Sequence, residues 1–307
     1  MGTVGREGQN MKTFVAGGSG FVGQALVHRL MDEGQSVRIY DKVMPTLGSG
    51  YCGDIKDLEL LIDAMRGSDI VYHLASNADI SAAVANPSID FYEGTHLTQN
   101  ILEAMRITGV RRLVYFSGSG VYGEDATAVF SENHGPLEPI STYGASKLAC
   151  EALISAYCQM FGMEARVFRP ANIVGPGQTH GVGFDFIRRL KDDPDALCIL
   201  GDGTQSKSYV HIDDVLDAVA LTLTELEHRY RVFNIATDDA ITVNEIARLA
   251  CDLFGTGLCR LDYTGGDRGW KGDVPVIRLN CDRIKALGWA PKMGSIAAMA
   301  AALRAML

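Results

Sequence analysis

The segment Gly17-Gly18-Ser19-Gly20-Phe21-Val22-Gly23 follows directly on an apolar run, Thr13 to Ala16, and opens a stretch from Phe21 to Glu33 whose apolar residues recur at helical spacing. Glycine lacks a Cβ, so a turn with glycines at 17, 20 and 23 can bend tightly and let a ligand come close to the backbone. The helix that follows points its unsatisfied N–H groups and the positive end of its dipole at the same place. Strand, glycine turn and helix in this order predict a phosphate cradle within a βαβ unit. An ordinary glycine-rich turn is the competing reading, because the spacing is G-x-x-G-x-x-G and not G-x-G-x-x-G.

Asp41 weighs against that competitor. It ends the next strand, Ser36 to Asp41, about 20 residues beyond the loop, where an acidic side chain bonds the adenosine ribose hydroxyls of a dinucleotide. A carboxylate there repels a 2′-phosphate, which favours NAD over NADP, although Arg38 and Lys42 stand close enough in sequence to meet such a phosphate.

The alternation continues through a helix from Asp57 to Met65, a strand from Ile70 to Leu74, a helix around Thr95 to Ile107, a strand from Arg112 to Ser117, a helix from Tyr143 to Phe161 and a strand from Glu164 to Arg169. Strands alternating with helices imply an α/β fold on a parallel, doubly wound sheet. After Pro170 the rhythm breaks into loops (Gly175, Pro176, Gly177, then Asp192, Asp193, Pro194), as where a second unit leaves the sheet. The expected division is a dinucleotide-binding unit, 11–173 with 209–236, and a smaller α/β C-terminal unit for substrate, 174–208 with 237–307. Residues 1–10 are polar and glycine-rich and are followed by Met11 and a strand, so they read as flexible or as foreign to the natural chain.

Composition closes off several classes. A chain of 307 residues that is 47% hydrophobic can bury a large core. A net charge of -9 with Lys and Arg interspersed leaves no basic stripe, so no nucleic-acid partner is expected. The seven cysteines are scattered and lack C-x-x-C or zinc spacing, which reads as reduced thiols of a cytoplasmic protein. The histidines show no ligand spacing either, so no catalytic metal is expected. The longest apolar stretch, near Ile296 to Leu303, falls short of the roughly 20 residues that a bilayer requires, so no membrane partner is expected.

Tyr143 and Lys147 stand at i and i+4 at the start of a helical stretch, Tyr-Gly-Ala-Ser-Lys-Leu-Ala-Cys-Glu, and so share one face. A free phenol is too weak a base at neutral pH, and an ammonium nearby stabilises the phenolate form. Such a pair can move a proton. On an arbitrary helix surface the same spacing would mean nothing, and its weight comes from the glycine loop that precedes it.

With these residues in place the chain resembles the extended short-chain dehydrogenase/reductase superfamily, and within it the NAD-dependent epimerase/dehydratase group acting on sugar nucleotides, UDP-glucose/galactose 4-epimerases included. The matching pieces are Gly17 to Gly23, Asp41, Gly53-Asp54-Ile55, His73-Leu74-Ala75-Ser76, Val121-Tyr122-Gly123, Tyr143 to Lys147, Arg169-Pro170-Ala171-Asn172 with Gly175-Pro176-Gly177, and Gly201-Asp202-Gly203 through Asp213-Asp214. The resemblance implies a Rossmann fold that binds NAD. Gly17, Ser19, Gly20, Phe21, Val22 and Gly23 would hold the pyrophosphate, Asp41 and Lys42 the adenosine side, Asp54 and Ile55 the adenine. Leu74, Ala75, Ser76, Ser117 and Pro170 would line the cofactor, and Lys147 would also bond the nicotinamide ribose beside Tyr143. Asn172 would face a nucleotide-sugar substrate, and a homodimer is implied.

The chain departs from patterns of the family in four places. Substrate diphosphates are commonly held by an Arg after Gly-Asp-Gly and by a later Arg-Pro-Gly-Asp. Here Lys207 stands at the first, and Arg268-Gly269-Trp270-Lys271-Gly272-Asp273 falls where the second would be. Lys207 and Arg268 are therefore the expected substrate contacts, and a lysine lacks the bidentate fork of arginine. The Ser or Thr that usually assists the tyrosine is replaced by Gly118, which leaves Ser119, flanked by glycines, and Ser117 as candidates. Both could instead bond local backbone or touch only the cofactor. Lastly, 4,6-dehydratases carry a Glu where this chain has Gly120. His73 and His211 read as packed side chains, and Asp213 and Asp214 as a helix N-cap and a first-turn acid.

The expected function is NAD-dependent epimerisation at C4 of a UDP-hexose through a transient 4-keto sugar. A nucleotide-sugar 4-ketoreductase or 4,6-dehydratase is the neighbouring alternative. A catalytically silent NAD-binding regulatory protein, favoured by Gly118, is the alternative of another class.

Overall fold

Side chains of a strand alternate between two faces, and in β1 (Lys12–Ala16) both faces are apolar. Phe14 and Ala16 enter one core and Val15 the other, all fully buried. A strand of this kind must lie inside a sheet covered on both sides. The computed structural model, which describes residues 11–77, 80–225, 227–254 and 259–307, places it there. The segment 1–10 lies outside the described residues.

The sheet is parallel, with strands in the order β3 (Ser49–Cys52), β2 (Ser36–Asp41), β1, β4 (Ile70–His73), β5 (Arg112–Phe116), β6 (Glu164–Pro170) and β11 (Tyr230–Ile235). Helices α1 (Phe21–Asp32) and α6 (Ile212–Thr222) cover one face through Leu26, Val27, Leu30, Val215 and Val219. Helices α2 (Leu58–Met65), α3 (His96–Thr108) and α4 (Thr142–Phe161) cover the other through Leu61, Ile101, Met105 and Ile154. Each such side chain contributes about 1.5–3 kcal/mol on burial. The fold is the doubly wound Rossmann arrangement. Strand β3 carries no periodic signal: Ser-Gly-Tyr-Cys is exposed along its length, and main-chain pairing with β2 alone defines it. The helix expected near Thr95 begins as a π-helical turn, Phe91–Thr95, that runs on into α3.

Beyond β6 the chain leaves the sheet at β7 (Asn172–Val174), which pairs in parallel with β10 (Tyr209–His211). Between them lie α5 (Val182–Asp192), β8 (Ala196–Ile199) and β9 (Ser206–Lys207). After β11, β12 (Ile241–Thr242) pairs with β9, α7 (Val243–Phe254) follows, and β13 (Arg260–Tyr263) pairs with β8. Phe186, Leu190, Leu197, Ile246, Met299 and Leu303, the last two from α9 (Ser295–Arg304), form a separate core there. The short helix α8 (Asp282–Lys285) belongs to the C-terminal stretch in sequence but not in packing, since Cys281, Ile284 and Trp289 join the core under α1 and α6. Among the described residues, no helix is long and apolar enough to cross a membrane.

The start of α6 differs from the sequence expectation. His211 is the cap, its Nδ1 accepting the Asp213 N–H at 3.3 Å, and both aspartates fall in the first turn. Asp214 is buried and pins the C-terminal stretch: its carboxylate accepts N–H groups from Lys292 (3.0 Å) and Met293 (3.4 Å), and its carbonyl accepts the Trp289 indole N–H (2.9 Å). Asp214→Ala should lower the unfolding free energy by about 1–3 kcal/mol, because two N–H groups lose their acceptor. The shift of the urea midpoint measures this, and an unchanged midpoint would show that the stretch is held by other means.

Candidate active site

The C-terminal ends of β1, β2, β4, β5 and β6 open on one cavity of about 800 Å³ that extends to residues of the smaller unit. Small-molecule sites span roughly 300–1,000 Å³. Parallel sheets place ligands at this edge.

At one end stands the glycine loop. A Cβ on Gly17 would lie 2.5 Å from the Ala75 nitrogen, and one on Gly23 would lie 2.2 Å from the Gly17 oxygen. Only glycine lets α1 and the loop approach the sheet this closely. Gly20 differs, since it lines the cavity and a Cβ there would meet nothing nearer than the Gly17 oxygen at 3.6 Å. Helix α1 begins with neither a side-chain cap nor an acidic residue in its first turn, which leaves its N-terminal N–H groups open to an anion.

Asp41 lines the same end. Its carboxylate accepts the N–H groups of Ser19 (2.9 Å) and Val43 (3.0 Å), and a carboxylate has about four acceptor sites, so capacity remains for hydroxyls. Neither nearby cation is free for a 2′-phosphate. Arg38 does not line the cavity and donates to the carbonyls of Ala64 (2.6 Å) and Arg66 (3.0 Å). Lys42 lines it but is bonded to Glu93 at 2.8 Å, which with Asp54 holds its pKa above the ordinary lysine value. The loop, the open helix end and Asp41 fit NAD. Ile55, Leu74, Ala75, Ser76 and Pro170 also line the cavity. Asp54 does not: its carboxylate turns to the Lys56 N–H (2.9 Å) and to Lys42 (3.5 Å).

Helix α4 carries Tyr143 and Lys147 at the cavity. Ser141 caps it, accepting the Gly144 N–H at 3.1 Å, so Tyr143 and Lys147 occupy its first turns. Lys147 is buried, donates to the Phe116 carbonyl at 2.8 Å, and lies 5.5 Å from the centre of the Tyr143 ring. One turn further on, Glu151 is buried and accepts from Arg169 at 2.9 and 2.6 Å and from the Ser117 hydroxyl at 2.5 Å. Burial opposes the charge on Arg169, yet the hydrogen bonds and charge of Glu151 raise its pKa. Ser117 is thus engaged by Glu151. Ser119 lines the cavity, and its hydroxyl has no hydrogen bond among the described residues. Gly118 has an extended φ of -175°, and a Cβ there would sit 3.9 Å from Tyr143 Cε1, so the position has room for a side chain.

At the far end Asn172 and Lys207 line the cavity, with Lys207 Nζ 2.5 Å from Asp273 Oδ1. Arg268 does not line it: its guanidinium bonds Glu124 at 2.8 and 2.9 Å and the Asp273 carbonyl at 2.9 Å. Gln178, Gln205 and Trp270 line the cavity from loops, where no periodicity marks them. Glu151, by contrast, had a signal, since it continues the helical face of Tyr143 and Lys147 at the next i+4 step.

His73 is packed below the site, its Nε2 within 3.0 Å of Thr98 Oγ1. Burial, with the Lys147 charge as a smaller cause, pushes its pKa down to about 3 from 6.5. Between those values the unfolded chain binds the extra proton, so this group's stabilisation is complete above pH 6.5 and is lost as pH falls toward 3. The loss reaches about 1.4 kcal/mol per pH unit. His73→Gln should flatten the acid limb of the stability curve, and an unchanged slope would exclude His73 as its source.

Residues 13–236 match the model of the NAD dependent epimerase/dehydratase family. A GDP-mannose 3,5-epimerase 1 of Oryza sativa subsp. japonica is 30% identical across 93% of this chain and 79% of its own length. A putative UDP-glucose 4-epimerase of Methanocaldococcus jannaschii is 31% identical across 91% of this chain and 93% of its own. The crystal structure of the Thermus thermophilus UDP-glucose 4-epimerase complexed with NAD aligns with a TM-score of 0.85 at 29% identity, covering 96% of this chain and 98% of that one.

Proposed function

Because the chain belongs to the NAD dependent epimerase/dehydratase family, we propose that it inverts C4 of a UDP-linked hexose through a transient 4-keto sugar. The observation that carries this reading is the proton-transfer pair Tyr143 with Lys147 at a cavity whose neighbouring loop, 117–120, alternates serine with glycine and holds no carboxylate. Dehydration needs a further base for a carbon-bound proton, and that loop offers none. Likeness to a UDP-glucose 4-epimerase over nearly its whole length supports the choice of reaction.

The glycine loop, the open start of α1 and Asp41 would hold NAD, which would supply the acceptor and donor for a hydride of the sugar carbon. Tyr143, as phenolate, accepts the C4 hydroxyl proton and gives it back to the C4 oxygen as the keto sugar is reduced. Lys147, fixed by the Phe116 carbonyl, places its positive charge where negative charge develops during that transfer. Ser119 bridges substrate hydroxyl and phenol, because Ser117 is committed to Glu151. Asn172 meets the sugar, and the diphosphate draws Lys207 away from Asp273.

Incubation with UDP-, GDP-, CDP- and dTDP-sugars, followed by NMR without added reductant, should show interconversion of a UDP-hexose and its C4 epimer. Loss of water or stoichiometric use of NADH would overturn the reading. Tyr143→Phe should lower kcat by about 10²–10⁴-fold with NAD still bound. Ser119→Ala should cost about 10²-fold, and Gly118→Ser in that background should restore part of it, since the position has room. Full turnover by Ser119→Ala would remove that serine from the relay.

A further inference from the structure

We infer that Trp270 is a specificity-determining residue whose indole forms the wall against which the hexose packs beside Tyr143. The inference rests on the nucleotide-sugar reading of the cavity. The chain has two tryptophans. Trp289 is buried and bonded through its indole N–H to Asp214, which is a structural role. Trp270 lines the cavity, is partly exposed, and its indole has no hydrogen bond among the described residues.

The loop that carries Trp270 is anchored on each side. The Asp273 N–H bonds the Trp270 carbonyl at 3.1 Å, Asp273 pairs with Lys207, and Arg268 reaches across through one terminal nitrogen to both carboxylate oxygens of Glu124. An aromatic wall held this way loses little freedom when a ligand arrives. Gly272 sets its place in the cavity. A Cβ at Gly272 would stand 3.3 Å from Trp270 Cζ3 and 3.4 Å from the Cβ of Ser141, so this glycine, with φ of 90°, is the spacer between the indole and the cap of α4. Ser141 and Tyr143 line the same cavity. The indole therefore belongs to the Tyr143 end, where the reacting sugar lies, and not to the glycine-loop end.

The chemistry of a pyranose suits such a wall. Its ring presents faces of C–H bonds, and an aromatic side chain covers them, excluding water over a large apolar area without requiring hydrogen bonds. A keto sugar that must show both faces to one hydride donor can turn against a flat apolar surface with no bonds there to break. A stack on the nucleobase is the rival arrangement for the same indole.

With one tryptophan in the cavity and one in the core, emission reports the contact directly. Titration of the NAD-loaded protein with UDP-glucose should change the emission, UDP alone should not, and the change should vanish in Trp270→Phe. Trp270→Ala should raise KM for the sugar nucleotide by about tenfold while the inhibition constant of UDP stays unchanged, with Trp270→Phe recovering most of the loss. An equal emission change with UDP alone would overturn the assignment in favour of the base. So would UDP-glucose binding, detected by calorimetry, with silent emission. If calorimetry detects binding of neither UDP-glucose nor UDP, the UDP-hexose reading itself fails, and this assignment with it.

Discussion

A carboxylate taken out of water needs a cation in fixed geometry, and Glu151 of α4 finds Arg169 of β6. Removing either partner would strand a buried charge, at a cost of about 3–5 kcal/mol. The pair fixes the rotation of α4 about its own axis, which decides the face on which Tyr143 and Lys147 stand. It also gathers the end of β5, because Glu151 takes the Ser117 hydroxyl while the adjacent Phe116 carbonyl takes Lys147. Tyr143 and Lys147, the proposed proton-transfer pair, are thus aligned by contacts that lie behind them, within the core.

The two ends of the cavity are built from different materials. The cofactor end is made mostly of backbone: glycines that admit close approach, an uncapped helix start, and one carboxylate already partly bonded to the loop it faces. The far end is made of side chains on loops, joined in ion pairs that cross between chain segments distant in sequence, such as Arg268 with Glu124 and Lys207 with Asp273. Backbone geometry changes little with surface substitutions, whereas loop side chains are free to vary, which is how one fold keeps a cofactor and exchanges substrates.

That contrast also sets what the sequence revealed. The parallel sheet, its helices and the glycine loop follow from periodicity and from the steric uniqueness of glycine, both local properties. Tyr143 and Lys147 were legible because helical spacing puts them on one face. Strand β3, the cap at His211 and the place of α8 were not, since each depends on partners far along the chain. The family resemblance makes Arg268 a substrate contact, but its guanidinium bonds Glu124, remote in sequence, and does not line the cavity. Ser117 and Ser119 are equivalent on paper and differ in space only because Glu151 lies behind one of them.

The pairing of Lys207 with Asp273 has a consequence for discrimination among anions. A bare lysine in a cavity attracts any phosphate, inorganic phosphate included. A lysine whose charge is already met by a carboxylate offers an incoming anion only an exchange of partners, which yields little net free energy. A ligand carrying charge alone gains almost nothing there, and occupancy falls to molecules that add contacts elsewhere along the cavity.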